Sequence, residues 1–216
     1  MKSDDTWTAS WCCEKLISHE KIASATPIGG NLVQIIHKER KEPVQIATLS
    51  QAVVPASELS RVYTSPNIEF ILNIQKGAIF QRDAIEMSEV RRFGLGGLGD
   101  LYTAANEGEF RDYLSKEFRF ILRGLRQHTR VTKVTRLNNR MLLVERLRME
   151  DKRVLALNEY DLTADAVRTG IEKFGNPDII LASNPNCSPS SEGGAAANAC
   201  GVAVLGFGDL LRALNH

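Results

Sequence analysis

Two stretches of this chain end on the same phrase, and their spacing constrains the fold more than any other feature. Gly97-Leu98-Gly99-Asp100-Leu101-Tyr102-Thr103-Ala104-Ala105-Asn106 and Gly206-Phe207-Gly208-Asp209-Leu210-Leu211-Arg212-Ala213-Leu214-Asn215 agree at six of ten positions, at an offset of 109 residues. A repeat sets the size of the folding unit, so it takes precedence over local propensity. Carried backwards without a gap, the offset brings Leu16 onto Leu125, His19 onto His128, Thr26 onto Thr135, Ala47 onto Ala156, Asn67 onto Asn176 and Ile71-Leu72 onto Ile180-Leu181. Thirteen of the 107 overlapping pairs are identical, and apolar positions keep register: Val33 and Ile35 fall on Leu142 and Val144, Ile46 on Leu155, Phe70 on Ile179. The chain therefore reads as two tandem copies, 1–109 and 110–216, each the length of a small domain.

Both copies give the same order of elements. A helix (7–18; 110–128) precedes three strands (21–28, 32–38, 43–49; 130–137, 141–148, 152–158). Gly29-Gly30-Asn31 and Asn138-Asn139 supply turn residues that accept positive φ. A helix follows (57–63; 163–174); in the second copy Thr163 caps it, Asp165 sits near its positive end, and Gly175 stops it. The Ile-rich runs 68–74 and 178–183 have the character of buried strands. A helix (81–90; 190–199), a short strand (93–95; 202–205) and the helix opened by Gly-x-Gly-Asp complete each copy. The expected fold is α/β: two tandem α-β-β-β-α-β-α-β-α units with mixed sheets, helices on both faces, arranged as an internal pseudo-dimer.

That order resembles the PD-(D/E)XK restriction-endonuclease fold, and the tail of each copy is similar to the Mrr-like (type IV restriction) domain. In that family a strand leads to a Ser-containing loop and an Ala-rich helix, and a Gly-bearing strand and Leu-rich helix close the domain. The second copy reads Asp178-Ile179-Ile180-Leu181-Ala182-Ser183-Asn184, then Ser190-Ser191 and Ala195-Ala196-Ala197, and closes with Gly201 to Leu211; the first closes with Phe93 to Leu101. The family holds a divalent metal with an Asp on the second strand and Glu/Gln-x-Lys on the third, where the Lys positions the attacking water. Val44-Gln45-Ile46-Ala47 stands at the third-strand signature with Ala47 in the Lys place, and Asn31 stands near the expected Asp; in the second copy the places fall on Val154, Ala156 and Arg140. The resemblance thus implies a nuclease-like fold with a degenerate catalytic motif, with no catalytic residue assigned and no cofactor; Mg²⁺ enters only if an unorthodox site exists.

Several other residues invite a chemical reading. Asp100 and Asp209 recur together, as expected of a helix N-cap after a Gly turn, with a catalytic role as the alternative; no Lys-Ser/Thr follows, so the glycines do not form a P-loop. Asn184 to Ser191 opens a helix and reads as a capped loop, with an anion at its free N–H groups as the alternative. Glu145, Glu159 and Asp161 lie on or after strands of the second copy and suggest a displaced metal site, with Asp161 as a turn residue and Glu159 as a solvated strand end the plainer reading. Cys12, Cys13, Cys187 and Cys200 form no C-x-x-C pair and have no metal spacing with His19, His37, His128 and His216, which fits reduced thiols in a cytoplasm. The polar, acidic first residues do not resemble a secretory leader, and no apolar run is long enough for a membrane span.

Charge placement is the most informative functional feature. The whole chain is +1, yet residues 111–153 carry thirteen basic and five acidic residues, +8, which leaves −7 for the rest. Lys116, Arg119, Arg123, Arg126 and Arg130 step by three and four, which puts at least the first four on one helix face. Their counterparts are Trp7, Ser10, Glu14, Ile17 and Lys21, so the copies have diverged on this face. These five residues are the expected nucleic-acid contacts, with phosphate backbone as the partner. A protein partner or self-association through the acidic remainder is the alternative, and a metal-dependent nuclease the third.

Overall fold

The computed structural model describes residues 6–216; residues 1–5, part of the N-terminal stretch read above, lie outside the described residues. The chain divides into two compact units, one ending at Ser115 and one beginning at Lys116.

In the first unit, α1 (Thr6–Leu16) leads into β1 (Ile22–Gly29), β2 (Leu32–His37) and β3 (Val44–Leu49). Then come β4 (Val53–Val54), α2 (Ala56–Val62), β5 (Ile68–Asn73), β6 (Ile79–Phe80), α3 (Arg82–Arg91), β7 (Gly94–Gly96) and α4 (Leu98–Glu107). The sheet order is β1-β2-β3-β5-β7: an antiparallel meander whose third strand starts a parallel run. All six residues of β5 are buried, as a strand covered on both faces requires. Successive residues of β3 serve opposite cores. Val44 and Ile46 join Val33, Ile35, Phe70 and Leu72 beneath Cys12 and Leu16 of α1 and Leu101 and Ala105 of α4. Ala47 and Leu49 join Ile71 beneath Leu59 of α2 and Ala84 and Ile85 of α3.

The second unit repeats this order: α5 (Lys116–Gln127), β8 (Val131–Arg136), β9 (Met141–Arg146), β10 (Lys152–Leu157), β11 (Asp161–Leu162), α6 (Ala164–Phe174), β12 (Ile179–Ala182), β13 (Ser188–Pro189), α7 (Ser191–Ala199), β14 (Ala203–Leu205) and α8 (Phe207–Ala213). Its sheet order, β8-β9-β10-β12-β14, matches strand for strand, with the same antiparallel and parallel pairings. Met141, Leu155, Leu157 and Ile180 pack beneath Val167 of α6 and Ala196 and Ala197 of α7. On α5, Phe118, Ile121, Leu122 and Leu125 are buried, a stripe at helical spacing. The protein is thus mixed α/β with two five-stranded mixed sheets and eight helices among the described residues.

Four details depart from the sequence reading. Phe110 does not begin a helix: Gly108, at φ 70°, ends α4, and Phe110 enters the first unit's core, so α5 starts at Lys116. The pairs β4–β6 and β11–β13 are additional two-residue parallel bridges, too short for a periodicity signal. Asn138 and Asn139 are not in the positive-φ region; the Asn138 carboxamide instead accepts from Arg140 N and Met141 N at 2.9 and 2.7 Å, while Gly29 and Gly30 do adopt φ 114° and 56°. The ungapped alignment also slips at the third strand. Thr48 N donates to Asn31 O and Ala156 N donates to Arg140 O, so Thr48, not Ala47, occupies the place of Ala156. The cause is the preceding turn, residues 38–43 in one unit and 147–151 in the other. The 109-residue offset returns at the next strand pair, β5–β7 against β12–β14.

Candidate functional site

Strands β10, β12 and β14 are parallel, so their carboxyl ends share one edge of the second unit's sheet, the edge at which open α/β sheets bind ligands. A cavity of about 810 Å³ opens there. Asn158 lies just beyond β10, Ser183 and Asn184 beyond β12, Gly206 and Phe207 beyond β14; the first turns of α5 add Lys116, Glu117 and Phe120.

Glu117 organises the polar wall. Its carboxylate accepts from Arg140 Nη1 at 2.7 and 2.8 Å, from Ser183 Oγ at 2.6 Å and from Asn158 Nδ2 at 3.2 Å. The Glu117 side chain is 14% exposed and that of Arg140 30%. A carboxylate so nearly buried requires a cation and several donors, and four short contacts supply them. Arg140 also lies over the Phe118 ring, 5.7 Å from its centroid. Beside it lies an aromatic pair: Phe120, three residues further along α5 and 61% exposed, meets Phe207 with ring centroids 4.7 Å apart and planes tilted by 50°. Gly124 leaves room for this arrangement, because a Cβ there would stand 2.5 Å from the Phe207 ring. Cys187 also lines the cavity. Burial pushes its thiol up, a backbone hydrogen bond at Leu162 partly offsets this, and Asp161 and Glu159 add to the rise, so at neutral pH it is a thiol rather than a nucleophilic thiolate.

The residues singled out for their charge lie along the outside of the same helix. Lys116, Arg119, Arg123 and Arg126 are exposed on α5, and at 100° per residue they fall within one quadrant of its surface. Arg130 is exposed in the turn before β8 and is not on the helix. Phe120 is adjacent to Lys116 and Arg123 on this surface.

Asp100 and Asp209 are not N-caps: Gly97 and Gly206 hold those positions and each Asp is three residues on. Asp100 accepts from Gly97 N at 2.9 Å and from Tyr113 OH at 3.0 Å, while Asp209 pairs with Arg212 at 2.7 Å. Ser190 is a true cap, accepting from Gly193 N at 2.9 Å and donating to Leu162 O at 3.1 Å. Glu145 lies 3.6 Å from Lys133 on the neighbouring strand, Glu159 and Asp161 are exposed, and among the described residues no group of three or more His, Cys, Asp or Glu side chains is placed to hold a metal ion. No described helix is long and apolar enough to cross a membrane.

Sequence reasoning passed over Glu117, Phe120, Asn158, Ser183 and Phe207. The 109-residue offset did carry a signal for the first: Thr8 and Asn31, both neutral, align with Glu117 and Arg140, which are oppositely charged. No family model matches the chain, and no curated protein or solved structure matches it.

Proposed function

We infer that the protein is a tandem duplication of a restriction-endonuclease-like unit that has lost metal chemistry and binds nucleic acid through the second unit. The observation that carries this reading is the exposed basic face of α5, with Lys116, Arg119, Arg123 and Arg126 clustered and Arg130 following in the turn. Four like charges on one helix surface of a chain with a net charge of +1 make a local positive patch, and the phosphate backbone of a nucleic acid is a polymer of matching charge. Duplication is supported by the shared element order, strand order and pairing sense, and by the phrase at each unit's end. Loss of the metal site is supported by the residues at the third-strand signature: Ala47 in the first unit, and Leu155 and Ala156 in the second, are all fully buried. A defence or repair complex is the setting such a module suits.

The test is binding of labelled single- and double-stranded DNA and RNA across salt concentrations, with wild type and an Arg119/Arg123/Arg126→Glu triple variant. Wild type is expected to bind with a steep salt dependence. The variant should lose affinity, with the log–log salt slope smaller by roughly two to three. Absence of binding at low salt sinks the reading and turns the basic face into a protein-docking surface.

A further inference from the structure

The geometry points to the cavity beside α5 as a nucleobase-binding site: an unpaired base enters it while the strand's phosphates stay on the basic face outside. This rests on the nucleic-acid reading for its polymeric form, but the cavity has its own chemistry. About 810 Å³ is within the range of small-molecule sites and accommodates a base with its sugar. The lining discriminates among ligand classes. Glu117 and Asp209 face it and oppose an anion. Glu117 is already matched by Arg140, Ser183 and Asn158, so it is no open cation site. A ligand that is planar, uncharged at its edge and rich in donors and acceptors fits what remains: the Phe120 and Phe207 rings for its face, the Asn158 and Asn184 carboxamides for its edge.

Two further observations favour this. Phe120 replaces Trp11 of the first unit; Trp11 packs against that unit's core, whereas Phe120 is 61% exposed. An aromatic ring left in solvent at a cavity mouth is a stacking platform awaiting its ligand. The fixed tilt of 50° between the two rings lets a base stack on one and meet the edge of the other. Glu117 acts as a positioning residue: it takes the Asn158 amide nitrogen, which leaves the carboxamide oxygen of Asn158 as the acceptor for a base. Lys116 belongs to both the cavity lining and the basic face, which makes the two sites continuous.

The experiment uses the full chain at low salt and four probes: a short labelled single strand, the same strand with an abasic backbone, the matching duplex, and free nucleoside monophosphates. The base-bearing strand is expected to bind about tenfold tighter than the abasic one, the contribution of a single stacked base. Phe120→Ala should remove that advantage with the salt slope unchanged; its ring is mostly in solvent, so the substitution leaves the core intact. Asn158→Ala should narrow the preference among bases. Equal affinity for base-bearing and abasic strands overturns the proposal and leaves the basic-face reading standing. If wild type binds no strand, that reading falls, and the monophosphates decide: saturable binding that Phe120→Ala abolishes keeps the nucleobase site, and none removes it.

Discussion

The two units build the same sheet edge from opposite materials. In the first, Thr8 and Thr48, both fully buried, share a hydroxyl hydrogen bond of 2.7 Å, Thr48 donates to Asn31 O, and the Asn31 amide returns to Thr48 O at 3.0 Å. In the second, the same places hold Glu117, Ala156 and Arg140, and the space opens into a cavity. Neutral hydroxyls can be sealed in a core at modest cost because each bond satisfies both partners. A carboxylate and a guanidinium resist full burial and retain access to solvent. The change from neutral to charged thus accompanies the change from closed core to open site.

The same contrast holds at a helix end. His37 donates to Ala105 O at 2.8 Å, and Arg146 in its place donates to Leu214 O at 3.4 Å and to His216 O at 2.6 Å. Both units thus tie the sheet to the last helix with a side-chain donor at the equivalent carbonyl, through different chemistry.

The largest effects should come from glycines that one unit has and the other lacks. A Cβ on Gly94 would lie 2.3 Å from Phe110 O and 2.5 Å from the Phe70 ring, and one on Gly193 would lie 1.9 Å from Leu162 O. Their counterparts are Ala203, exposed, and Ala84, buried in the first unit's core. Gly94→Ala and Gly193→Ala should each destabilise by about 3 kcal/mol, at the upper end of overpacking, because the opposing atoms include backbone. Both tryptophans, Trp7 and Trp11, are in the first unit. In a urea titration, tryptophan fluorescence should therefore shift with Gly94→Ala alone, while far-ultraviolet circular dichroism shifts with either. If Gly193→Ala moves the tryptophan transition equally, the units unfold as one and the comparison loses its independence.

A smaller effect is expected from exchanging the polar centres. Glu117→Ala leaves Arg140 without its carboxylate and should cost roughly 2 kcal/mol, less than for a fully buried pair because both side chains keep some solvent. Transplanting the first unit's chemistry, Glu117→Thr with Arg140→Asn and Ala156→Thr, should restore most of that stability by thermal unfolding and abolish ligand binding. A transplant as unstable as Glu117→Ala would mean that the surrounding packing, not the polar trio, separates the units.

The fold was largely legible from sequence because both units place buried residues at the periods of strand and helix: Val33 and Ile35 alternate, and Phe118, Ile121, Leu122 and Leu125 follow a helix stripe. The one-residue slip at β3 was not, since Ala47 and Ala156 are a chance identity and only backbone pairing shows the shorter turn. The basic face was legible because charge spacing is local. The cavity was not: Asn158 and Ser183 lie 41 and 66 residues from Glu117, and only the antiparallel meander and the parallel crossover after it bring the three together.

The smallest prediction concerns Asp100 and Asp209, the same residue held in two ways. Tyr113 donates its hydroxyl to Asp100, and its pKa is pushed well above the usual tyrosine value, first by burial and then by the Asp100 carboxylate. Asp209 has Arg212 instead, on the surface. Because the folded state holds the Tyr113 proton more tightly than the unfolded state, this contribution to the first unit's stability is fully present below the unfolded tyrosine pKa of about 10. It declines as the pH rises from there towards the folded-state value. Tyr113→Phe should lose the hydrogen bond at neutral pH and show a flatter alkaline limb in the tryptophan-detected unfolding midpoint, with one slow tyrosinate absorbance step missing. An alkaline limb identical to wild type would show that Tyr113 titrates freely. The two aspartates would then differ in partner but not in how firmly the fold holds them.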